Sequence, residues 1–341
     1  MDKRPNPVAL FRCAYLDLFV STFRTLGQDV TSDLSEARLP LEWPKCRGEY
    51  APALPAFAFV TAAAQRHGIE DFGFLAGARL KLTDFDVGVR GELDKAETLG
   101  DALNSYCALV GREQSYLLCH LSEHAGGEVR ICATAAALEP GHALNQYSEW
   151  LLIMSLVAIV RHATTSDWHP SQIAFQSQPG LGESVWRAFP ETRFAVAQGQ
   201  TWITVSAETL SLPWPARKDT AEPQQVPAKP ASYLWDFPTS LSLALRPYLA
   251  DGYPSIELAA KLVGMSVRTL QRRLNQCHQS YSDVVKQLRF GIAAELLRNP
   301  DKTVLDTACE VGFSDPSHFS RAFRQMAGVS PREFRKQQLA A

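Results

Sequence analysis

The chain has 341 residues, 46% of them apolar and 21% charged, with a formal charge of −2. That is ordinary globular composition, and the length predicts about two domains, each able to bury its own core. Seven scattered cysteines, at 13, 46, 107, 119, 132, 277 and 309, form no C-x-x-C and no Cys/His cluster. They argue against a disulfide framework and a zinc site, and suit reduced thiols in a cytoplasm. The start, Met1-Asp2-Lys3-Arg4-Pro5, lacks the apolar core of a signal peptide. Leu151 to Val160, the most apolar run, is bounded by Glu149 and Arg161. It is far short of the roughly 20 residues a bilayer requires, so no membrane association is expected.

In chain order, Val8 to Leu26, Ala56 to Arg66 and Leu99 to Val110 carry apolar residues at helical spacing. Gln114 to Ser122 and Val129 to Thr134 predict a strand pair around Gly126-Gly127, and Ala143 to His162 predicts one long apolar helix. Gln172 to Gln176 and Thr201 to Val205 alternate as further strands, and Glu183 starts a helix. These signals make residues 1–211 an α/β domain. Leu212 to Pro230 holds five prolines among polar residues. Proline fixes φ and removes a donor, so 212–230 reads as a linker. Residues 231–341 then read as all helical. Charge divides with the domains: Tyr233 to Ala341 carries 14 Lys/Arg against 10 Asp/Glu, and the remainder 20 against 26. A basic C-terminal part on an acidic body points mildly to a DNA-facing module, with chance variation of a solvated surface as the alternative.

Two C-terminal segments repeat each other, Ser255 to Leu274 and Thr303 to Phe323. With Gly264 set on Gly312, Ala260 matches Ala308, Val263 matches Val311, Met265 matches Phe313 and Ser266 matches Ser314. Each position has a physical cause. The alanine lets two helices cross closely, the glycine takes the left-handed conformation that ends the first helix, and the serine caps the second. Apolar residues four apart, Leu270 and Leu274 or Phe319 and Phe323, turn inward and leave a polar face for a major groove. The pattern predicts two helix-turn-helix units, at about 254–277 and 303–327. A connecting helix, Tyr281 to Arg298, carries core-like Val284, Val285, Leu288, Ile292, Leu296 and Leu297.

The C-terminal residues resemble the AraC/XylS regulators. The resemblance rests on Gly312-Phe313-Ser314, on His318-Phe319-Ser320-Arg321-Ala322-Phe323, on Gly328-Val329-Ser330-Pro331 and on Phe334-Arg335. It covers about the last 100 residues. His278 departs from it, standing where the family often has glycine. The resemblance implies binding to double-stranded DNA in two successive major grooves, and transcription control, usually activation through RNA polymerase. Carried over by position, Arg268, Gln271 and Arg272 in the first unit and Ser317, His318, Ser320 and Arg321 in the second are the base readers. Arginine pairs bidentately with guanine and glutamine with adenine. Arg273, Arg324 and Lys336 are assigned to phosphates, which position without specifying.

The N-terminal half resembles the "arabinose-binding" effector domain found on some AraC-type regulators. The supporting residues are Leu54-Pro55-Ala56-Phe57, Phe72-Gly73-Phe74-Leu75-Ala76-Gly77, Thr98-Leu99-Gly100-Asp101-Ala102-Leu103 and the Trp168 to Phe175 segment. That likeness implies a sensory and homodimerising role, with a small-molecule effector whose contact residues are not identified. Phe57, Phe59, Phe72, Phe74, Phe85 and Trp150 are read as packing, with a pocket lining as the alternative. No G-x-S-x-G, G-x-x-x-x-G-K-[ST] or H-E-x-x-H motif occurs, and neither a cofactor nor a metal is expected. The expectation is a cytoplasmic, nucleoid-associated regulator. The competing readings are an enzyme-like N-terminal domain with an appended DNA-binding module, and a nonspecific architectural DNA protein.

Overall fold

The computed structural model describes residues 5–39, 48–135, 145–215, 235–251 and 254–339. These fall into two units: the described residues between 9 and 234, and those from 235 onward together with 5–8. Most of the predicted linker lies outside the described residues. Among the described residues no helix is long and apolar enough to cross a membrane.

The first unit opens on β1 (Leu10–Arg12), which runs directly into α1 (Cys13–Thr25). Helical spacing from Val8 predicts a single helix there. Leu10–Arg12 is instead wholly buried and pairs antiparallel with β2 (Tyr50–Pro52) after α2 (Thr31–Glu36), because buried backbone groups need partners. Four helices follow: α3 (Ala53–Arg66), α4 (Phe72–Gly77), α5 (Val87–Leu93) and α6 (Leu99–Leu109). Thr98 and Asp101 close a capping box on α6.

The predicted hairpin is present as β3 (Leu117–Glu123) and β4 (Glu128–Ala135), with Gly126 and Gly127 at φ +82° and +76° between them. After α7 (Gln146–Ala163) come β5 (Gln172–Ala174), α8 (Glu183–Ala188), β6 (Arg193–Ala195), β7 (Thr201–Ser206) and α9 (Ala207–Leu210). The sheet order is β3-β4-β7-β5-β6, antiparallel except for β5 beside β6. Ile131 and Ile173 both stand opposite Ile203, and all three are fully buried.

Helix α7 is the axis of this core. Thirteen of its 18 residues are buried, so it is enclosed on nearly every side rather than amphipathic. Trp150 lies 5.3 Å from Phe74 and 4.9 Å from Phe175, ring centre to ring centre. A Cβ at Gly73 would stand 2.7 Å from Trp150 Cδ1, and one at Gly77 would stand 2.8 Å from Met154 Cγ. The glycines four apart in Phe72-Gly73-Phe74-Leu75-Ala76-Gly77 are thus what lets α4 lie against α7. Glu149, fully buried, accepts from the Gln176 N–H at 2.6 Å, from the Ser177 N–H at 3.2 Å and from the Thr201 hydroxyl. Burial still pushes its carboxyl above the usual range.

In the second unit, α10 (Phe237–Leu245) is capped by Asp236. Behind it stand α11 (Ile256–Leu262), α12 (Val267–Gln276), α13 (Tyr281–Arg298), α14 (Val304–Glu310), α15 (Pro316–Ala327) and α16 (Pro331–Leu339). Among its described residues this unit has no strand, as the sequence predicts.

Candidate nucleic-acid interface

The two repeats fold by the same local rules. Ser255 caps α11, and Gly264 ends it at φ +66°, after which the Met265 N–H donates back to the Ala260 carbonyl at 2.8 Å. In the second copy, Thr303 and Asp306 cap α14, Gly312 sits at φ +74°, and the Phe313 N–H donates to the Ala308 carbonyl at 2.9 Å. Ala260, Val263, Ala308 and Val311 are all buried at the helix crossings. The entries to the second helices differ. Ser266 caps α12 by accepting from the Thr269 N–H at 3.1 Å. The matching Ser314 does not cap α15; Asp315 does, accepting from the Ser317 N–H at 2.7 Å. Pro316 is the cause, because proline favours the first helical position and sets the cap one residue later.

Only Leu270 and Leu274 are buried in α12, and only Phe319 and Phe323 in α15. The opposite faces are polar and open. Arg268, Gln271 and Arg272 are exposed on α12, and Ser317, His318, Arg321 and Arg324 on α15. Ser320 is half-buried on the flank of its helix. Lys336 is exposed on α16. Arg273 takes a different place: it is half-buried, with its guanidinium 5.7 Å from the centre of the Phe237 ring. His278, the departure from glycine, has φ +55°, the same left-handed conformation glycine would adopt freely.

Helix α13 holds both units. Its 18 residues span about 27 Å at 1.5 Å per residue. At its start the Tyr281 hydroxyl donates to the Pro254 carbonyl at 2.7 Å, just ahead of α11. Further along, Arg289 Nε donates to the Val311 carbonyl at 2.7 Å and Nη2 to the Gly312 carbonyl. The same guanidinium lies 4.3 Å from the centre of the Phe313 ring. One planar side chain therefore grips the second turn by two carbonyls and a ring face. Neither anchor was picked out in the sequence, although an arginine between Leu288 and Phe290 on a core-facing helix was a signal. Around the second unit Ala293, Leu297, Ala308, Val311, Phe319 and Phe323 form one buried cluster, with Phe334 of α16 packed against it.

Residues 27–214 match the family model described as the arabinose-binding domain of AraC transcription regulator, N-terminal, and residues 259–337 match the model of a helix-turn-helix domain. The HTH-type transcriptional activator RhaS of Enterobacter sp. (strain 638) is 40% identical over 84 residues, 24% of this chain and 30% of RhaS. The ornithine utilization regulator of Pseudomonas aeruginosa is 32% identical over 84 residues, 25% of each chain. The chain thus spans between a quarter and a third of the length of these relatives. Among solved structures, the transcriptional regulator CdpR from Pseudomonas aeruginosa aligns over 90% of this chain and 96% of its own, with 18% identity and a TM-score of 0.37.

Proposed function

The chain belongs to the AraC family of transcription regulators, and from that premise we propose that it reads DNA through α12 and α15 and sets transcription in response to a signal received by its N-terminal unit. The observation that carries the reading is the pair of exposed polar helix faces fixed to one connecting helix by Tyr281 and Arg289. A rod of about 27 Å is of the order needed to seat two helices in major grooves roughly 34 Å apart.

Arg268, Gln271, Arg272 and Arg321 are the strongest base readers by chemistry, with Ser317, His318 and Ser320 beside them. Arg324 and Lys336 serve phosphates. Arg273 is placed for packing on Phe237 as much as for a phosphate. The N-terminal unit takes up a small molecule or a second copy of the chain. Such a ligand shifts the DNA-competent population only by binding it more tightly than the other state. Contact with RNA polymerase and residence in the cytoplasm, on the nucleoid when bound, complete the proposal.

The test is selection from a random duplex pool with the purified full chain. Enrichment of two half-sites about one helical turn apart is expected. A pool that stays random, at salt where binding persists, would overturn sequence-specific reading.

A further inference from the structure

The first unit contains a cavity of about 440 Å³ where the beginnings of two helices meet one tyrosine. Ala53, Leu54 and Phe57 of α3 form one side, with Tyr116 and the α7 residues Asn145 (its cap) and Ser148 on the other. Ala58 and Ala62 extend the wall along α3, and their small side chains are what leave the space open. The volume lies in the range of small-molecule sites. Of the aromatic residues considered from the sequence as a pocket lining, Phe57 alone borders this cavity among the described residues, and the other five are buried in packing.

Two hydroxyls of the wall, those of Tyr116 and Ser148, share a buried amide behind it, Gln114, whose own bonding is incomplete. The Tyr116 hydroxyl donates to Gln114 Oε1 at 2.7 Å, and the Ser148 hydroxyl donates to the same oxygen at 2.6 Å. All three side chains are at most 1% exposed. Gln114 Nε2 has no hydrogen-bond partner among the described residues. A buried amide donor left unpaired is costly and rare. The two hydroxyls also lie 2.9 Å apart, within hydrogen-bond distance of each other. A half-turn of that amide lets Nε2 donate to the two hydroxyl oxygens; one hydroxyl then donates to the other, and the remaining hydroxyl proton is free for an oxygen arriving in the cavity. The first turn of α3 has no acidic residue and adds its partial positive charge, whereas the first turn of α7 carries the carboxyl of Glu149, which offsets its own. Among the described residues lining the cavity there is no Lys, Arg, Asp or Glu. Dipoles and hydroxyls suit a carbonyl oxygen, whereas a carboxylate would enter without a countercharge.

We infer that this cavity is a binding site for an uncharged, mainly apolar molecule carrying one carbonyl oxygen, seated with that oxygen against Tyr116 and Ser148. The inference rests on the reading of the N-terminal unit as the signal receiver, and it names the place and the chemistry.

The probe is 2-decanone, titrated calorimetrically into the full-length chain, with decanoate as the charged counterpart of the same length. The expected result is saturable binding of one ketone per chain, with decanoate at least tenfold weaker. Ala62→Trp fills the cavity from an exposed position, so the fold survives; it should weaken the ketone at least tenfold, and Ser148→Ala severalfold. Absence of saturable binding, indifference to Ala62→Trp, or decanoate binding as well as the ketone would each overturn the site. So would a failure of ketone binding together with an Ala62→Trp shift from dimer to monomer, which would give this face to a second copy of the chain. Affinity for selected DNA, measured with and without the ketone, separates the two readings. Binding that leaves DNA affinity unchanged keeps the site and removes its role as the signal input.

Discussion

Arg289→Lys is the sharpest probe of how the two readers are held in one register. The native guanidinium makes two charge-assisted hydrogen bonds to the carbonyls of Val311 and Gly312 and stacks on Phe313. Hydrogen bonds to charged groups are each worth about 1.5–3 kcal/mol net, and a cation over an aromatic ring about 0.5–1 kcal/mol at a partly exposed position. Lysine keeps the charge and at most one of the bonds, and it lacks the planar fork. The expected loss is about 2–3 kcal/mol of stability in this unit, read as a lower urea midpoint with an unchanged slope. In DNA selection the half-site read by α15 should lose base preference while the α12 half-site keeps it. Because the charge is retained, the salt dependence of binding should not change. Native stability with intact preference at both half-sites would refute the clamp.

Three further outcomes follow from particular side chains. The buried carboxyl of Glu149 has a pKa raised by desolvation, so the folded state holds its proton more tightly than the unfolded state. Its effect on stability is therefore most favourable below the ordinary glutamate pKa and is lost as pH rises through the folded value. Melting temperatures recorded from pH 4 upward should show Glu149→Gln lacking that loss, and parallel wild-type and variant curves would contradict it. At His278 the left-handed backbone is strained for any residue with a Cβ, so His278→Gly should gain about 0.5–1 kcal/mol in denaturant unfolding; a loss would show that the imidazole contributes more than the strain costs. At Gly73 an added methyl runs into Trp150, an overpacking cost of about 1–3 kcal/mol set against about 1 kcal/mol of helix propensity. Gly73→Ala should therefore be neutral to about 2 kcal/mol destabilising, and a more stable variant would mean that α4 is free to shift.

The helix-turn-helix units were legible because their rules are local. Gly264 and Gly312 need positive φ, Ala260 and Ala308 need a close crossing, and paired leucines or phenylalanines define the inner face, all within some twenty residues. The one local miss, the cap at Asp315 in place of Ser314, came from weighing the repeat above the proline at 316. In the N-terminal unit the longer helices α1, α3, α6 and α7, the start of α8 at Glu183 and the β3–β4 hairpin were legible from periodicity and turn glycines, whereas α2, α4, α5 and α9, of four to seven residues, were too short to show a period. The order β4-β7-β5-β6 was not, since a three-residue strand such as β6 has too little sequence to show a period and its partner lies some twenty residues away. Strand β1 was hidden inside an apolar run that also suits a helix. The cavity had only the alanines of Ala53 to Arg66 as a signal, because space left by small side chains depends on what packs opposite.

The central claim is that α12 and α15 read two points on one side of a duplex. Its most direct test is to repeat the DNA selection with Arg268→Ala and with Arg321→Ala. Each variant should lose about 1–3 kcal/mol of discrimination at a single base position, and the two relaxed positions should lie about 10–10.5 base pairs apart. Motifs unchanged in both variants, or relaxed positions half a turn apart and so on opposite sides of the helix, would contradict it.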